Sequence, residues 1–218
     1  MKSSQLSQKT ITLIDTFGFF FRNYFALPPL KSREGFPTGL LTGFINFINI
    51  IEKEHATDYI VFCIESKAPS RRAALYPAYK ANRPEAPEDF KKQLPVALSW
   101  LEKMGFRPLM VEGYEADDVI ASLAHWAREE GMKVRIVSHD KDLYQLINDN
   151  NIVIWDPIKK SEVDSEGCYA KFGVKPEHFV DFQALVGDSS DNVPGVRGIG
   201  PKSAAALIAL YPTLEEIY

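Results

Sequence analysis

Three carboxylates, Glu115, Asp117 and Asp118, fall within four positions of the stretch GYEADDVIASL, directly ahead of an apolar run with helical spacing. Similar acids stand elsewhere. Asp15 closes the apolar run TITLID, Glu65 closes DYIVFCIE, Asp140 and Asp142 follow KVRIVS, and Asp188 and Asp191 stand three apart in GDSSDN. Two like charges roughly 4 Å apart at an effective dielectric near 20 repel by about 4 kcal/mol. A helix N-terminus returns only about 0.3–1 kcal/mol per acid. If these nine acids meet, cations must neutralise them or several must hold protons. An oxygen-only donor set suits hard divalent cations, Mg²⁺ or Mn²⁺, and two such ions suit phosphoryl transfer. Cys and His do not cluster, which argues against zinc. Each group alone also reads as a helix cap or a solvated turn; their coincidence at one edge favours cations. Counted around a helix, Glu115 and Asp118 lie about 60° apart. That marks these two as direct ligands and leaves Asp117 to cap the helix or hold a metal-bound water.

Positive charge is gathered in a different segment. From Lys67 to Lys92 there are seven basic residues and three acidic ones. Within SRRAALYPAYKANRP, Arg71, Arg72, Lys80 and Arg83 alternate with Tyr76 and Tyr79, a mixture able to neutralise phosphates and stack on unpaired bases. Pro77 and Pro84 exclude a long straight helix, so the segment reads as an irregular arm; taken alone it also reads as a solvated basic loop. Near the C-terminus, VPGVRGIGPKSAAAL sets Gly198 and Gly200 before a helix opening at Pro201, with Arg197 and Lys202 alongside. Backbone N–H groups at such a turn can bind a phosphate.

Position requires elements. Buried strands are expected at 10–15, 58–65, 133–142 (running into its acids) and 151–156, with a shorter one near 107–113. Helices are expected at 38–55, 94–105 and 116–130. Near-continuous apolar strands alternating with helices predict an α/β fold with a mostly parallel central sheet, whose ligands gather beyond the strand carboxyl ends. The strand signal ends near residue 175, which predicts an α/β core over 1–175, with the arm at about 66–93, and a helical subdomain over 176–218.

Bulk composition agrees with a globular chain: 218 residues, 45% hydrophobic, 25% charged, net charge −4. No stretch approaches the ~18 apolar residues of a membrane span, and the first ten residues lack a signal-like apolar region. With only Cys63 and Cys168 there is no disulfide framework, so a cytosolic setting is expected.

In order, LID…R, LYPAYKANRP…PEDF, GYEADDVIASLA, SHDKDLYQL and GDSSDNVPGVRGIGPKSA resemble the 5′-nuclease (flap endonuclease) superfamily, in particular the 5′→3′ exonuclease module at the N-terminus of bacterial DNA polymerase I. The resemblance spans Thr10 to Tyr218. It implies a PIN-like nuclease core with a helix–hairpin–helix element, and hydrolysis of DNA and RNA primers at 5′ ends, nicks and flaps. Asp15, Glu65, Glu115, Asp117, Asp118, Asp140, Asp142, Asp188 and Asp191 would hold two or more Mg²⁺ ions. Lys80 and Arg83 would contact the scissile phosphate, Arg22 a further phosphate, and the hairpin a K⁺ ion. The resemblance also implies a monomeric, bacterial cytosolic protein forming the front of a longer polymerase chain. Two positions depart from the family pattern: Thr16 stands where Gly is usual, and Glu65 where Asp is usual. A structure-specific flap-binding module with little catalysis is the main rival. A haloacid-dehalogenase-like phosphatase would need an acid where Phe17 stands, and a PIN-type ribonuclease is not expected to carry the glycine hairpin.

Overall fold

The computed structural model describes residues 8–54, 57–66, 68–157 and 159–218. His55, at the end of the expected second-segment helix, and Lys67, in the basic arm, lie outside them. Five strands form one sheet in the order β2-β1-β3-β4-β5. β1 (Thr10–Asp15), β2 (Tyr59–Cys63), β3 (Lys133–Val137) and β4 (Ile152–Asp156) run parallel, and β5 (Ser161–Val163) is an antiparallel edge. The order reverses at β1: the chain first builds outward to β2, then returns to place β3 on the other side. That reversal opens a crevice between the carboxyl ends of β1 and β3, where Asp15 and Asp140 emerge.

Alternating side chains feed two cores. Leu13, Cys63, Val134, Ile136, Ile152 and Ile154 pack on one face against α5 (Ala116–Glu129), α6 (Ser165–Phe172), α7 (Phe179–Val186) and α8 (Pro201–Leu210). Ile14, Phe62 and Val137 pack on the other against α1 (Thr16–Ala26), α2 (Gly39–Glu54) and α4 (Glu88–Lys103). The C-terminal helices therefore share a core with the sheet.

Several elements depart from the sequence expectation: β3 ends at Val137 and Asp140 opens a 3-10 turn, where a run over 133–142 is expected, and β2 ends at Cys63 rather than at 65. α4 begins at Glu88, six residues early, because Pro87 starts it and Glu88 and Asp89 complement its dipole. Pro95 is tolerated inside because Phe90, Gln93, Ala97 and Leu101 are buried along the helix. The segment near 107–113 makes only a single parallel bridge, Leu109 to Cys63, rather than a strand. α1 was hidden in FGFFFR because three consecutive phenylalanines show no helical period: Phe19 and Phe20 are buried, while Phe21 stacks on Phe90 with centroids 4.2 Å apart.

Phe20 is fully buried and meets Phe44 edge to face at 5.3 Å. Phe20→Ala should cost about 3–5 kcal/mol in urea unfolding. A loss below 1 kcal/mol, on the order of a surface substitution, would mean α1 does not anchor this face.

Candidate metal centre and its basic arm

The acids converge as the topology requires, and local bonds fix each in place. Asp15 caps α1 by accepting from the Gly18 N–H at 3.0 Å, and Ser138 Oγ donates to its other oxygen at 2.9 Å. A Cβ on Gly18 would stand 2.2 Å from Asp15 Oδ2, so glycine at 18 keeps this carboxylate seated. Thr16 is buried in the first turn of α1. Asp140 caps the 3-10 turn Lys141–Leu146 by accepting from the Asp142 N–H at 3.0 Å. Asp142 accepts from Gln183 Nε2 at 2.6 Å. Asp188 accepts from the Ser190 N–H at 2.8 Å and from Lys141 Nζ at 3.1 Å. Oxygens of Asp142, Asp188 and Asp191 lie within 4.8 Å of one another.

A capping box between Glu115 and Asp118 closes the mouth of α5. Glu115 is the N-cap, outside the helix, and Asp118 accepts from its N–H at 3.1 Å, so Asp118 is the capping acid. Asp117 instead lies beside Asp140, Asp15 and Asp142. Desolvation, followed by those neighbours, raises its carboxyl to about 8. Desolvation likewise raises Asp15 and, with help from Asp140, Asp142. Glu65 lies two residues past β2 at an exposed rim, 3.9 Å from Lys80 Nζ.

The basic arm is folded onto these acids. Arg72 makes a bidentate pair with Asp118 at 2.7 Å on both oxygens, and holds that carboxyl below its usual range. Lys80 Nζ donates to Glu115 at 2.7 Å. Desolvation works against ionised Glu115, but Lys80 and Tyr79 outweigh it, and its carboxyl titrates low. Arg83 pairs with Asp191. The Tyr79 hydroxyl lies 2.9 Å from Glu115 and 3.0 Å from Asp191, and its ring faces Lys80 Nζ at 5.1 Å. Tyr79 thus binds carboxylates here rather than presenting an open ring face. Arg71 leans on the Tyr114 ring at 5.0 Å. Tyr76 is exposed and, with Arg72, Tyr79, Asp142, Gln183 and Asp188, lines a cleft of about 500 Å³. Arg22 stands exposed on α1, outside these contacts. At the hairpin, Gly198 adopts φ +85° and Gly200 caps α8, with Arg197 and Lys202 exposed beside them.

Lys80 has φ 56°, a left-handed conformation costing about 1–2 kcal/mol for a residue with a side chain. The close approach that shapes the last acidic turn needs glycine at 187, since a Cβ there would stand 2.2 Å from Gly195 N. Residues the sequence reading missed are Ser138, Lys141, Gln183 and Ser190, all donors to the acids; Ser138 and Gln183 reach their acids only through the fold, whereas Ser190 bonds Asp188 two positions away.

The donor set fits a divalent cation: the close group of Asp142, Asp188 and Asp191 offers carboxylate oxygen only. A mainly parallel α/β core carrying such a group beneath a basic arm is an architecture suited to polyanionic phosphate chemistry. The sequence matches the family described as 5′-3′ exonuclease, N-terminal resolvase-like domain, over residues 10–173, and 5′-3′ exonuclease, C-terminal SAM fold, over 174–218. It is 42% identical over 209 residues to a 5′-3′ exonuclease of Aquifex aeolicus, covering 96% of this chain and 72% of that protein. It is 44% identical over 222 residues to DNA polymerase I of Helicobacter pylori, covering 100% of this chain but 24% of that one. Among solved structures, the T5 5′-exonuclease superposes with TM-score 0.80 at 22% identity, over 96% of this chain and 78% of the other. Flap endonuclease-1 from Methanococcus jannaschii superposes with TM-score 0.58 at 20% identity, over 93% and 71%. The chain belongs to the 5′-3′ exonuclease family. It spans about a quarter of the polymerase I chains it matches. Among the described residues no helix is long and apolar enough to cross a membrane.

An aspartate held near 8 has a pH consequence. Its unfolded value is about 4, so without divalent ions the folded state keeps a proton that the unfolded chain has released. Its contribution to stability is intact below about pH 4, falls as pH rises from about 4 to 8, and is lost above that. Asp117→Asn should therefore be more stable than the parent at about pH 8 in chelator, with the gap closing near pH 4. Parallel pH profiles of urea stability for the two proteins would contradict this placement of Asp117.

Proposed function

We propose that this chain is a divalent-metal-dependent 5′ nuclease, with Mg²⁺ the expected ion and Mn²⁺ a substitute, cutting DNA phosphodiesters at free 5′ ends, nicks and 5′ flaps. RNA primers paired to DNA fall within the same substrate class. The observation carrying this reading is the approach of Asp142, Asp188 and Asp191 within 4.8 Å, faced by the cations of the arm. The reading places Asp15, Glu65, Glu115, Asp117, Asp118, Asp140, Asp142, Asp188 and Asp191 around two or more ions, directly or through water. Bound there, the metal supplies electrophilic stabilisation of the phosphodiester and a more acidic attacking water.

The chain's own groups do the positioning. Lys80 and Arg83, released from Glu115 and Asp191, meet the scissile phosphate as it arrives; Arg72 and Arg71 line the approach and Arg22 holds a further phosphate. Tyr76 is available to stack on an unpaired base at the mouth of the cleft. The hairpin at Arg197, Gly198, Gly200 and Lys202 grips duplex backbone, with K⁺ as a candidate ion. On this reading residues 1–175 form the nuclease core and 176–218 the duplex-binding part. The expected setting is a monomeric module in the bacterial cytosol, joined in some relatives to a polymerase. Support comes from T5 5′-exonuclease structures with bound zinc, a T5 flap endonuclease complex with DNA and metal ions, and a Rad2 catalytic core bound to DNA.

A 5′-flap cleavage assay with Mg²⁺ tests the reading. Asp117→Asn and Asp188→Asn should each lower cleavage at least about a hundredfold, the scale of removing one essential electrostatic group, while flap binding is retained. Lys80→Ala should slow cleavage far more than it weakens binding. Cleavage that survives both aspartate changes would refute the metal site. A parent protein that binds flaps yet leaves them uncut in Mg²⁺ and Mn²⁺ would favour the binding-module rival.

A further inference from the structure

Beside the ion pairs, the arm is joined to the last acidic turn by bonds to backbone carbonyls, three of them from neutral amides. Three successive carbonyls of the last acidic turn, Ser189, Ser190 and Asp191, each accept a donor from the arm. Asn82 Nδ2 donates to Ser189 O at 2.9 Å, Arg83 Nε to Ser190 O at 3.4 Å, and the Lys80 N–H to Asp191 O at 2.9 Å. A fourth bond runs the other way, from Asn192 Nδ2 to Ala78 O at 2.8 Å. Two residues with side chains hold left-handed conformations where the segments meet, Lys80 at φ 56° and Asn192 at φ 58°. Such conformations persist where surrounding bonds over-determine them, and they cluster at functional sites. Asparagine is several-fold enriched in that region and lysine is not, so the lysine is the residue more in need of holding.

We propose that Asn192, assisted by Asn82, is a positioning residue that clamps the arm to the acidic turn and fixes where Lys80 and Arg83 deliver their charges. The clamp differs in kind from the ion pairs. Phosphate or a divalent ion competes for the Lys80 and Arg83 charges and for the carboxylate oxygens, and salt screens them. Neither competes strongly for amide-to-carbonyl bonds. The base of the arm therefore stays docked while its cations change partners, so Lys80 swings from Glu115 to phosphate about a fixed backbone. Sequence spacing gave no hint of this, because residues 78–83 and 189–192 meet only in the fold.

The catalytic consequence rests on the nuclease reading above; the clamp itself does not, and the experiment separates them. Hydrogen exchange of peptides covering residues 78–83 is measured in chelator for the parent, Asn192→Gly and Asn82→Ala. Glycine keeps the left-handed conformation while deleting the amide, and Asn82 is exposed, so its replacement leaves folding intact even if the first variant unfolds. Exchange at the Lys80 amide should rise about tenfold in either variant, the scale of one lost amide–carbonyl bond, with sheet amides unchanged. In the parent it should be insensitive to raising salt to about 1 M, where the Debye length is about 3 Å. Flap turnover should fall about tenfold in kcat with KM nearly unchanged, and in a Lys80→Ala background the same variants should add less than about twofold. Unchanged arm exchange in both variants, parent exchange that rises with salt, or losses that multiply fully with Lys80→Ala would overturn the proposal. An inactive parent whose arm exchange still responds to the variants would fail the nuclease reading and leave the clamp standing.

Discussion

Like-charge repulsion at the carboxyl edge of the sheet is the constraint around which this molecule is arranged. The strand order places Asp15 and Asp140 on either side of one crevice, and the mouth of α5 adds Asp117 between them. No cap or helix dipole offsets that much crowding. Two devices carry it instead. The inner acids, Asp15, Asp117 and Asp142, are held toward their protonated forms by burial and by one another. The outer acids, Glu115, Asp118 and Asp191, are matched by Lys80, Arg72 and Arg83.

The division between inner and outer acids connects fold to function. A divalent cation entering the crevice meets carboxyls ready to exchange a proton for a metal. On the proposed reading, an arriving phosphate meets arm cations that are paired here to carboxylates which a metal would take over. Arm and acids are thus complementary counterions, and each can be released to its own ligand by the arrival of the other. Gly18 and Gly187 serve the same end: the first leaves room for the Asp15 carboxylate, and the second allows the backbone approach to Gly195 that shapes the last acidic turn.

How much of this was legible in the sequence follows from what each residue depends on. The parallel sheet and the strand-end acids were readable because apolar runs ending on acids report strand direction and terminus together. At GYEADD, helical register was counted from Glu115, whereas Glu115 caps the helix from outside and Asp117 is the acid that lies beside Asp140, Asp15 and Asp142. Tyr79 read as a stacking ring because sequence shows its neighbours in the chain and not the two carboxylates its hydroxyl reaches across 36 and 112 positions. Phe19 to Phe21 concealed a helix since an unbroken aromatic run has no period. Glu65 was read as closing a strand that in fact ends at Cys63.

The central claim is that the crevice is a cation site whose carboxyls hold protons until a metal replaces them. Calorimetric titration of Mn²⁺ into chelator-stripped protein near pH 7, repeated in buffers of different ionisation heat, addresses it directly. With the Asp117 carboxyl near 8, the account predicts saturable binding that releases roughly one proton or more per site filled. Absence of saturable binding, or binding with no proton release in either buffer, would contradict it.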